Sequence, residues 1–212
     1  MMSLSSVIFM SNEILYILLP DYAAHEVVYL SQAVASDEYA LKENPKYVNK
    51  VVAPTMEPVK SIGGFLTLPD YSLESIPDDY AALVLIGGFG WATPVAEQVA
   101  PIVRNASARG KIVGAICNAA SFMAKCGFLN NVRHTGNGLE QLKLWGGENY
   151  ANPEGYANVQ AVSDKNIVTA NGSASLEFAK ELLLLLENDS PERIEMYYQF
   201  NKQGFCTLFP GV

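Results

Sequence analysis

The sequence has few of the basic residues that some partners require. Only 14 Lys and Arg stand against 22 Asp and Glu, which gives a formal net charge of −8, and no basic run occurs. Nucleic acids and anionic membrane surfaces select clustered Lys and Arg. We therefore expect neither a nucleic-acid partner nor a membrane-surface partner.

Cysteine is also scarce. Cys117, Cys126 and Cys206 are too few and too scattered for a disulfide framework, and the sequence has no CxxC motif. A zinc knuckle or a thioredoxin-type site is therefore not indicated. Free thiols in a reducing compartment are expected.

Long apolar runs are missing as well. No stretch approaches the roughly 20 apolar residues of a membrane span. The first basic residue is Lys42, so the N-terminus lacks the charged start of a signal peptide. These features predict a cytoplasmic protein with no membrane segment.

The composition that is present indicates one folded domain. Of the 212 residues 50% are hydrophobic and 17% are charged, which excludes an intrinsically disordered chain. This length is typical of one domain with a sizeable core, and we assign residues 1–212 to it.

Apolar runs that suit buried strands alternate with helical patterns. The strands are predicted near 13–19, 81–86 and 112–117, with paired short strands over 47–68 turning near Met56 and a hairpin over 158–170. The helices are predicted from Val27 to Val34 and over 93–109, 118–126 and 173–187. Continuous apolar strands between helices indicate an α/β fold, a mostly parallel sheet with helices on both faces.

Ligands of such sheets bind beyond the carboxyl ends of the strands. Cys117 lies at one such end, between a strand and the helix that starts at Asn118. A join without a loop forces a strained backbone and exposes the side chain. The helix N-terminus favours a thiolate, with a pKa lowered from about 8.5 toward roughly 3.5–7.5. Catalysis, redox sensing and a buried core cysteine all remain open.

Gly87 and Gly88 follow another strand, with Trp91 shortly after, and are candidates for binding substrate. A free N–H of Gly88, paired with the N–H of Asn118, would form a two-donor oxyanion hole. One such donor contributes about 3–4 kcal/mol to the transition state. The alternative is an ordinary turn after a strand.

Two further residues are candidates for moving a proton. Glu26 is either a favourable charge at the start of the first helix or a carboxyl that shares a proton with Cys117. His134 lies 17 residues after Cys117 and is either the base or a surface histidine. Cys126 and Cys206 are interpreted as structural.

Several segments together resemble the ThiJ/PfpI family of the class I glutamine-amidotransferase-like superfamily. They are GAICNA at 114–119, RHTGN at 133–137, YAAHE at 22–26, LIGG at 85–88 and VTANG at 168–172. The resemblance implies a flavodoxin-like three-layer sandwich, a homodimer, and a nucleophilic Cys117 beside Glu26. Members are described as amidases, peptidases, glyoxalases, deglycases, chaperones or oxidative-stress sensors.

Two positions depart from relatives of known chemistry. Class I glutaminases carry a late histidine, and no histidine follows His134 here. The peptidase branch has histidine directly after its nucleophile, where this chain has Asn118.

The resulting hypothesis is a cysteine-dependent amidase, hydrolase or glyoxalase-like enzyme acting on a small carbonyl or amide compound, with no metal or organic cofactor. The alternative is a non-catalytic sensor of oxidative stress or of a ligand that uses the same reactive cysteine.

Overall fold

The computed structural model describes residues 12–37 and 40–211, and its strands form two sheets. The strands are β1 (Glu13–Ile17), β2 (Val48–Ala53), β3 (Val59–Lys60), β4 (Leu66–Thr67), β5 (Tyr71–Ser72), β6 (Ala82–Leu85), β7 (Ile112–Ile116), β8 (Ala161–Asp164) and β9 (Ile167–Ala170). Seven of them form the central sheet in the order β5-β2-β1-β6-β7-β9-β8, and β3 pairs with β4 in a separate two-stranded sheet.

All neighbours in the central sheet are parallel except β8, which runs antiparallel to β9. Five of the six parallel strands, β2-β1-β6-β7-β9, have the order 2-1-3-4-5 of flavodoxin-like folds when counted along the chain. In this order the strand sequence reverses between β1 and β6. Ligands of such sheets bind outside the carboxyl ends of the strands at this point.

Helices cover both faces of the sheet, as predicted. They are α1 (His25–Ala35), α2 (Ala100–Ala108), α3 (Asn118–Lys125), α4 (Leu139–Gly146), α5 (Ser175–Leu185), α6 (Pro191–Gln203) and α7 (Phe205–Leu208). Residues of α2, α3 and α4 enclose one core, and residues of α1, α5 and α6 enclose the other. Alternate residues of β1 supply the two cores, with Leu15 in the first and Tyr16 in the second.

Two predicted elements differ from the structure. The helix expected over 93–109 begins as a 3₁₀ segment, Pro94–Val99, and becomes α-helical at Ala100. Pro101 lacks an N–H to bond back into a preceding turn, so the α-helix starts beside it.

The paired strands expected over 47–68 are the second difference. β2 pairs with β1 and β5 in the central sheet, whereas β3 pairs only with β4. The predicted turn near Met56 therefore takes the chain out of the sheet instead of closing a hairpin. Burial of Val52 and Ala53 in the central sheet favours the parallel partners.

No helix within the described residues is long and apolar enough to cross a bilayer. The cytoplasmic location was predicted partly because no basic residue precedes Lys42. The first 11 residues of that stretch lie outside the residues that the structure describes.

Candidate functional site

Cys117 occupies the strained join between β7 and α3 that the sequence predicts. Its backbone has φ 60° and ψ −128°, a region that residues with a Cβ rarely adopt. The Cys117 N–H donates to the Ala170 carbonyl at 3.0 Å, and the Cys117 carbonyl accepts from the Ala120 N–H at 3.0 Å. These bonds hold the strained residue between two rigid elements and leave its side chain half-buried.

The Glu26 carboxyl lies close to Cys117, and a proton shared between the two groups stays a prediction. Glu26 is buried near the start of α1, and its Oε2 accepts a hydrogen bond of 2.7 Å from the Gly87 N–H. A Cβ on Gly87 would lie 2.5 Å from the Cys117 Cβ and 2.6 Å from Glu26 Oε2. Only glycine fits at 87, because any side chain would separate the carboxyl from the thiol.

Burial and proximity change the acidity of both groups. Burial raises the pKa of Glu26 to about 7, opposed by the Gly87 N–H, the His25 charge and Cys117. Burial also raises the pKa of the Cys117 thiol, and the charge of Glu26 adds to this effect. The lowered thiol pKa expected from the helix terminus alone is therefore wrong while Glu26 is charged. With Glu26 protonated, its opposition to a thiolate disappears.

Asn137 is a residue of the site that sequence reasoning missed. Its Nδ2 donates to Cys117 Sγ at 3.3 Å, and its Oδ1 accepts from the Gly172 N–H at 2.8 Å. A Cβ on Gly172 would lie only 2.8 Å from Sγ, so a larger residue would collide with the thiol. The signal in the sequence was the RHTGN segment at 133–137, where Asn137 follows His134 by three residues.

Asn118 contributes both its backbone and its side chain. Its N–H interacts with the Cys117 sulfur and opposes the rise in thiol pKa. Its Nδ2 donates to the Gly88 carbonyl at 3.0 Å, and its Oδ1 accepts from Gln141 Nε2 at 2.9 Å. Among the described residues no backbone carbonyl accepts from the Gly88 N–H, which leaves that group open as a donor.

The structure does not bring His134 to Cys117. His134 is fully buried, its Nδ1 lies 2.9 Å from the Val132 carbonyl and its Nε2 lies 2.6 Å from the Tyr150 hydroxyl. Both ring nitrogens therefore have partners elsewhere. The expectation that this ring points at the thiol is corrected, because the histidine is part of the core.

Two other candidates also have structural roles. Trp91 is buried, packs on Phe122 with ring centroids 4.9 Å apart, and donates from Nε1 to the Ile86 carbonyl at 2.6 Å. The expectation that Trp91 binds substrate is therefore wrong. The Gly87 N–H already binds Glu26, so Gly87 is not an oxyanion donor.

The histidine at the site is His25, which precedes Glu26 on α1. His25 is exposed, and its Nε2 lies 3.2 Å from the carbonyl of Gly172, the glycine against the thiol. The sequence analysis did not single out this residue. The contact with the Gly172 carbonyl places the His25 ring at the edge of the site.

A cavity of about 630 Å³ adjoins the site. Asn137 and Gly172, which touch the Cys117 sulfur, form part of its wall. The other lining side chains are uncharged, namely Tyr156, Asn158, Val159, Gln160, Asn171 and Ser173. Within the described ranges, no three His, Cys, Asp or Glu side chains are grouped so as to hold a metal ion.

Comparisons of the sequence and of the structure with known proteins all point to one family. The sequence profile of the DJ-1/PfpI family matches residues 12–185. The chain is 37% identical over 192 residues to the "Uncharacterized protease YdeA" of Bacillus subtilis, covering 90% of this chain and 91% of that protein.

Solved structures agree with the sequence comparison. A thiJ/pfpI family protein from Bacillus anthracis is 30% identical with a TM-score of 0.85, covering 93% of this chain and 94% of that one. The DJ-1 superfamily protein Atu0886 from Agrobacterium tumefaciens is 33% identical with a TM-score of 0.79, covering 91% and 98%. The predicted resemblance and the flavodoxin-like fold are both confirmed, and the chain belongs to the DJ-1/PfpI family.

Proposed function

We propose that this protein is a cysteine-dependent enzyme that acts on a small carbonyl compound, with Cys117 as nucleophile and Glu26 as proton carrier. The observation that carries the proposal is a buried carboxyl close to the thiol, since a Cβ on Gly87 would lie 2.5 Å from the Cys117 Cβ and 2.6 Å from Glu26 Oε2. Burial raises the pKa of that carboxyl to about 7. A carboxyl with such a pKa both releases and accepts a proton near neutral pH.

The proposed reaction begins with addition to the carbonyl. The Cys117 thiolate forms a C–S bond to the carbonyl carbon, and the π electron pair moves to the carbonyl oxygen. The N–H groups of Gly88 and Asn118 are the candidate donors to that oxyanion. Glu26 then gives its proton to the oxygen, which yields a neutral hemithioacetal without a metal or organic cofactor. With an α-dicarbonyl compound, the Glu26 carboxylate takes the C–H proton of the hemithioacetal carbon and returns it to the neighbouring carbonyl carbon, which gives a hydroxy thioester. Water then cleaves the C–S bond, which releases the hydroxy acid and returns the proton to the Cys117 sulfur.

Hydrolysis of an amide makes a further demand on the site. A base must activate the water that releases the acyl group, and in peptidases of this chemistry a histidine takes that role. Among the described residues no histidine is hydrogen-bonded to Cys117, since His25 at the edge of the site is bonded to the Gly172 carbonyl and His134 is bonded elsewhere. The geometry therefore favours addition to an aldehyde or ketone over peptide cleavage, although the Bacillus subtilis relative is named a protease.

The cavity beside Asn137 is the proposed place for the rest of the substrate. Its volume of about 630 Å³ suits a small molecule, and its lining side chains carry no charge. A neutral compound with hydrogen-bonding groups fits this chemistry better than a phosphate or a carboxylate.

The second candidate is an oxidation sensor, favoured by the donors around the sulfur. Asn137 Nδ2 and the Asn118 N–H face Sγ and would bind the oxygen of a sulfenate or sulfinate. In this scheme a hydroperoxide transfers one oxygen to the thiolate and leaves as the alcohol or water. The homodimer and the cytoplasmic location remain predictions.

Turnover assays test the proposal. The protein is incubated with small aldehydes, α-dicarbonyl compounds, primary amides and peptides, and the substrate consumed is measured. We expect α-dicarbonyl turnover that Cys117→Ser abolishes and that Cys126→Ser retains, since Cys126 lies outside the site, whereas simple aldehydes should add reversibly without turnover.

Two outcomes oppose the proposal. Activity that survives in Cys117→Ser would exclude a nucleophilic thiol. Absence of turnover, together with stoichiometric oxidation of Cys117 by low peroxide in mass spectra, would support the sensor instead.

A further inference from the structure

The orientation of the Asn137 amide is fixed by the backbone. Gly172 N–H lies 2.8 Å from one end of that amide and 3.3 Å separates the other end from Cys117 Sγ. A backbone N–H only donates, so the end facing Gly172 is the oxygen. The end facing the sulfur is therefore the NH₂ group, a donor that has no proton-accepting capacity.

The Glu26 carboxyl has an unequal set of partners. Oε2 accepts from the Gly87 N–H, whereas Oε1 is buried and has no hydrogen-bond partner of its own. A buried carboxylate oxygen without a donor is costly. A proton on Oε1 lowers that cost, because a neutral carboxyl is less costly to bury than a carboxylate.

The donors around the two groups favour opposite charges. Two donors, Asn137 Nδ2 and the Asn118 N–H, act on the sulfur, while one, the Gly87 N–H, acts on the carboxyl. Burial of the sulfur and the charge of Glu26 favour a neutral thiol, whereas these donors favour the other placement of the proton, a thiolate beside a neutral Glu26.

We propose that Asn137 is a catalytic residue that holds the shared proton on Glu26 by donating to the Cys117 thiolate. This inference rests on the proposed function only where it assigns Asn137 a role in catalysis. The placement of the proton is a property of the resting protein and is measured without a substrate.

Other groups around the thiol limit how the proposal is tested. α1 contributes Glu26 and His25, and the charge of His25 favours an ionised Glu26. Asn118 and Gln141, from α3 and α4, are neutral. The loop after β9 contributes Gly172 and no charge at the contact. Every measurement is therefore repeated in a His25→Gln background, so that the charge of His25 does not imitate the effect of Asn137.

The first measurement is the alkylation of Cys117 by iodoacetamide as a function of pH, followed by peptide mass spectrometry to separate it from Cys126 and Cys206. In Asn137→Ala we expect the midpoint to rise by about one pH unit, the effect of losing one hydrogen bond to a charged group. Asn158→Ala, which removes another amide from the same cavity, should keep the wild-type midpoint.

The second measurement is the infrared carbonyl band of protonated Glu26, assigned by its loss in Glu26→Gln. We expect the band at neutral pH in the wild type and a weaker band in Asn137→Ala, because the proton moves to the sulfur. A purely structural asparagine would not move this band. If Asn137→Ala does not fold, Asn137→Ser serves, since its hydroxyl is too short to span the contact.

An unchanged midpoint and an unchanged band in both folded variants would overturn the proposal. The outcome is separable from that of the proposed function. A shifted midpoint in Asn137→Ala without any turnover by the wild type would contradict the proposed enzyme and support the proposed proton placement. Turnover by the wild type with an unshifted midpoint in Asn137→Ala would support the enzyme and contradict the proton placement.

Discussion

The His134 ring lies 2.6 Å from the Tyr150 hydroxyl through Nε2 and 2.9 Å from the Val132 carbonyl through Nδ1. A carbonyl only accepts, so Nδ1 carries the hydrogen and Nε2 accepts from the tyrosine. Burial lowers the pKa of His134, which keeps the ring neutral, and raises the pKa of Tyr150 to about 12. The pair is a buried polar bridge inside the core.

Replacing His134 therefore tests a structural role against a catalytic one. His134→Phe should lower the free energy of unfolding by about 1–3 kcal/mol, because the Val132 carbonyl and the Tyr150 hydroxyl lose their partner. Turnover and the pH profile of Cys117 alkylation should stay close to wild type. Denaturant unfolding and alkylation rates measure the two quantities.

Tyr150→Phe is the matched control, since it removes one of the same two bonds and keeps the imidazole. A loss of roughly 10²–10⁴ in turnover for His134→Phe, with Tyr150→Phe unaffected, would instead identify the histidine as a general base.

Glu26 should make the stability of the protein depend on pH. Its pKa is raised from 4.5 to about 7 on folding, so the folded state binds more protons than the unfolded state between these values. The contribution of Glu26 to the free energy of unfolding should thus be fully present below pH 4.5, and it should be lost as the pH rises through 7. The full effect is up to about 3 kcal/mol.

Glu26→Gln removes this dependence because an amide does not titrate. Unfolding curves recorded from pH 4 to pH 8 should be flatter for Glu26→Gln than for the wild type, and the variant should be relatively more stable at pH 8. Glu74→Gln, at an exposed position, is the control and should follow the wild type. Parallel curves for all three proteins would contradict the burial of an ionisable carboxyl at 26.

The close approach of Gly172 to the thiol gives a steric prediction. In Gly172→Ala the added methyl would lie 2.8 Å from Cys117 Sγ and 3.4 Å from Asn137 Oδ1, so the loop after β9 must shift away from the thiol. We expect a several-fold change in the Cys117 alkylation rate and a higher midpoint, because the Asn137 contact lengthens.

Gly63→Ala is the matched substitution at an open position, where the nearest atom would be 3.7 Å away. It should leave alkylation unchanged. Equal rates in Gly172→Ala and the wild type would show that the thiol does not depend on that contact.

The sequence by itself determined the layered fold and the position of Cys117 between a strand and a helix. Continuous apolar runs such as residues 82–85 and 112–116 suit only strands that are buried on both faces. The change from strand to helix at Cys117 has no residues to spare, so a positive φ followed from local geometry alone. Glu26 was a candidate because it follows the end of a predicted strand, and its place beside Cys117 was implied by the resemblance to the ThiJ/PfpI family.

Only the tertiary structure decided which polar side chains reach the thiol. His134 and Asn137 are three residues apart, and chain separation from Cys117 does not distinguish them. Pairing with a later segment does: the His134 N–H bonds to the Gly155 carbonyl at 2.9 Å, and the Ala157 N–H bonds to the His134 carbonyl at 2.8 Å. This pairing turns the histidine ring into the core, while Gly172, from another loop, holds Asn137 against the sulfur. Such long-range contacts depend on the packed positions of distant loops, which local sequence patterns do not encode.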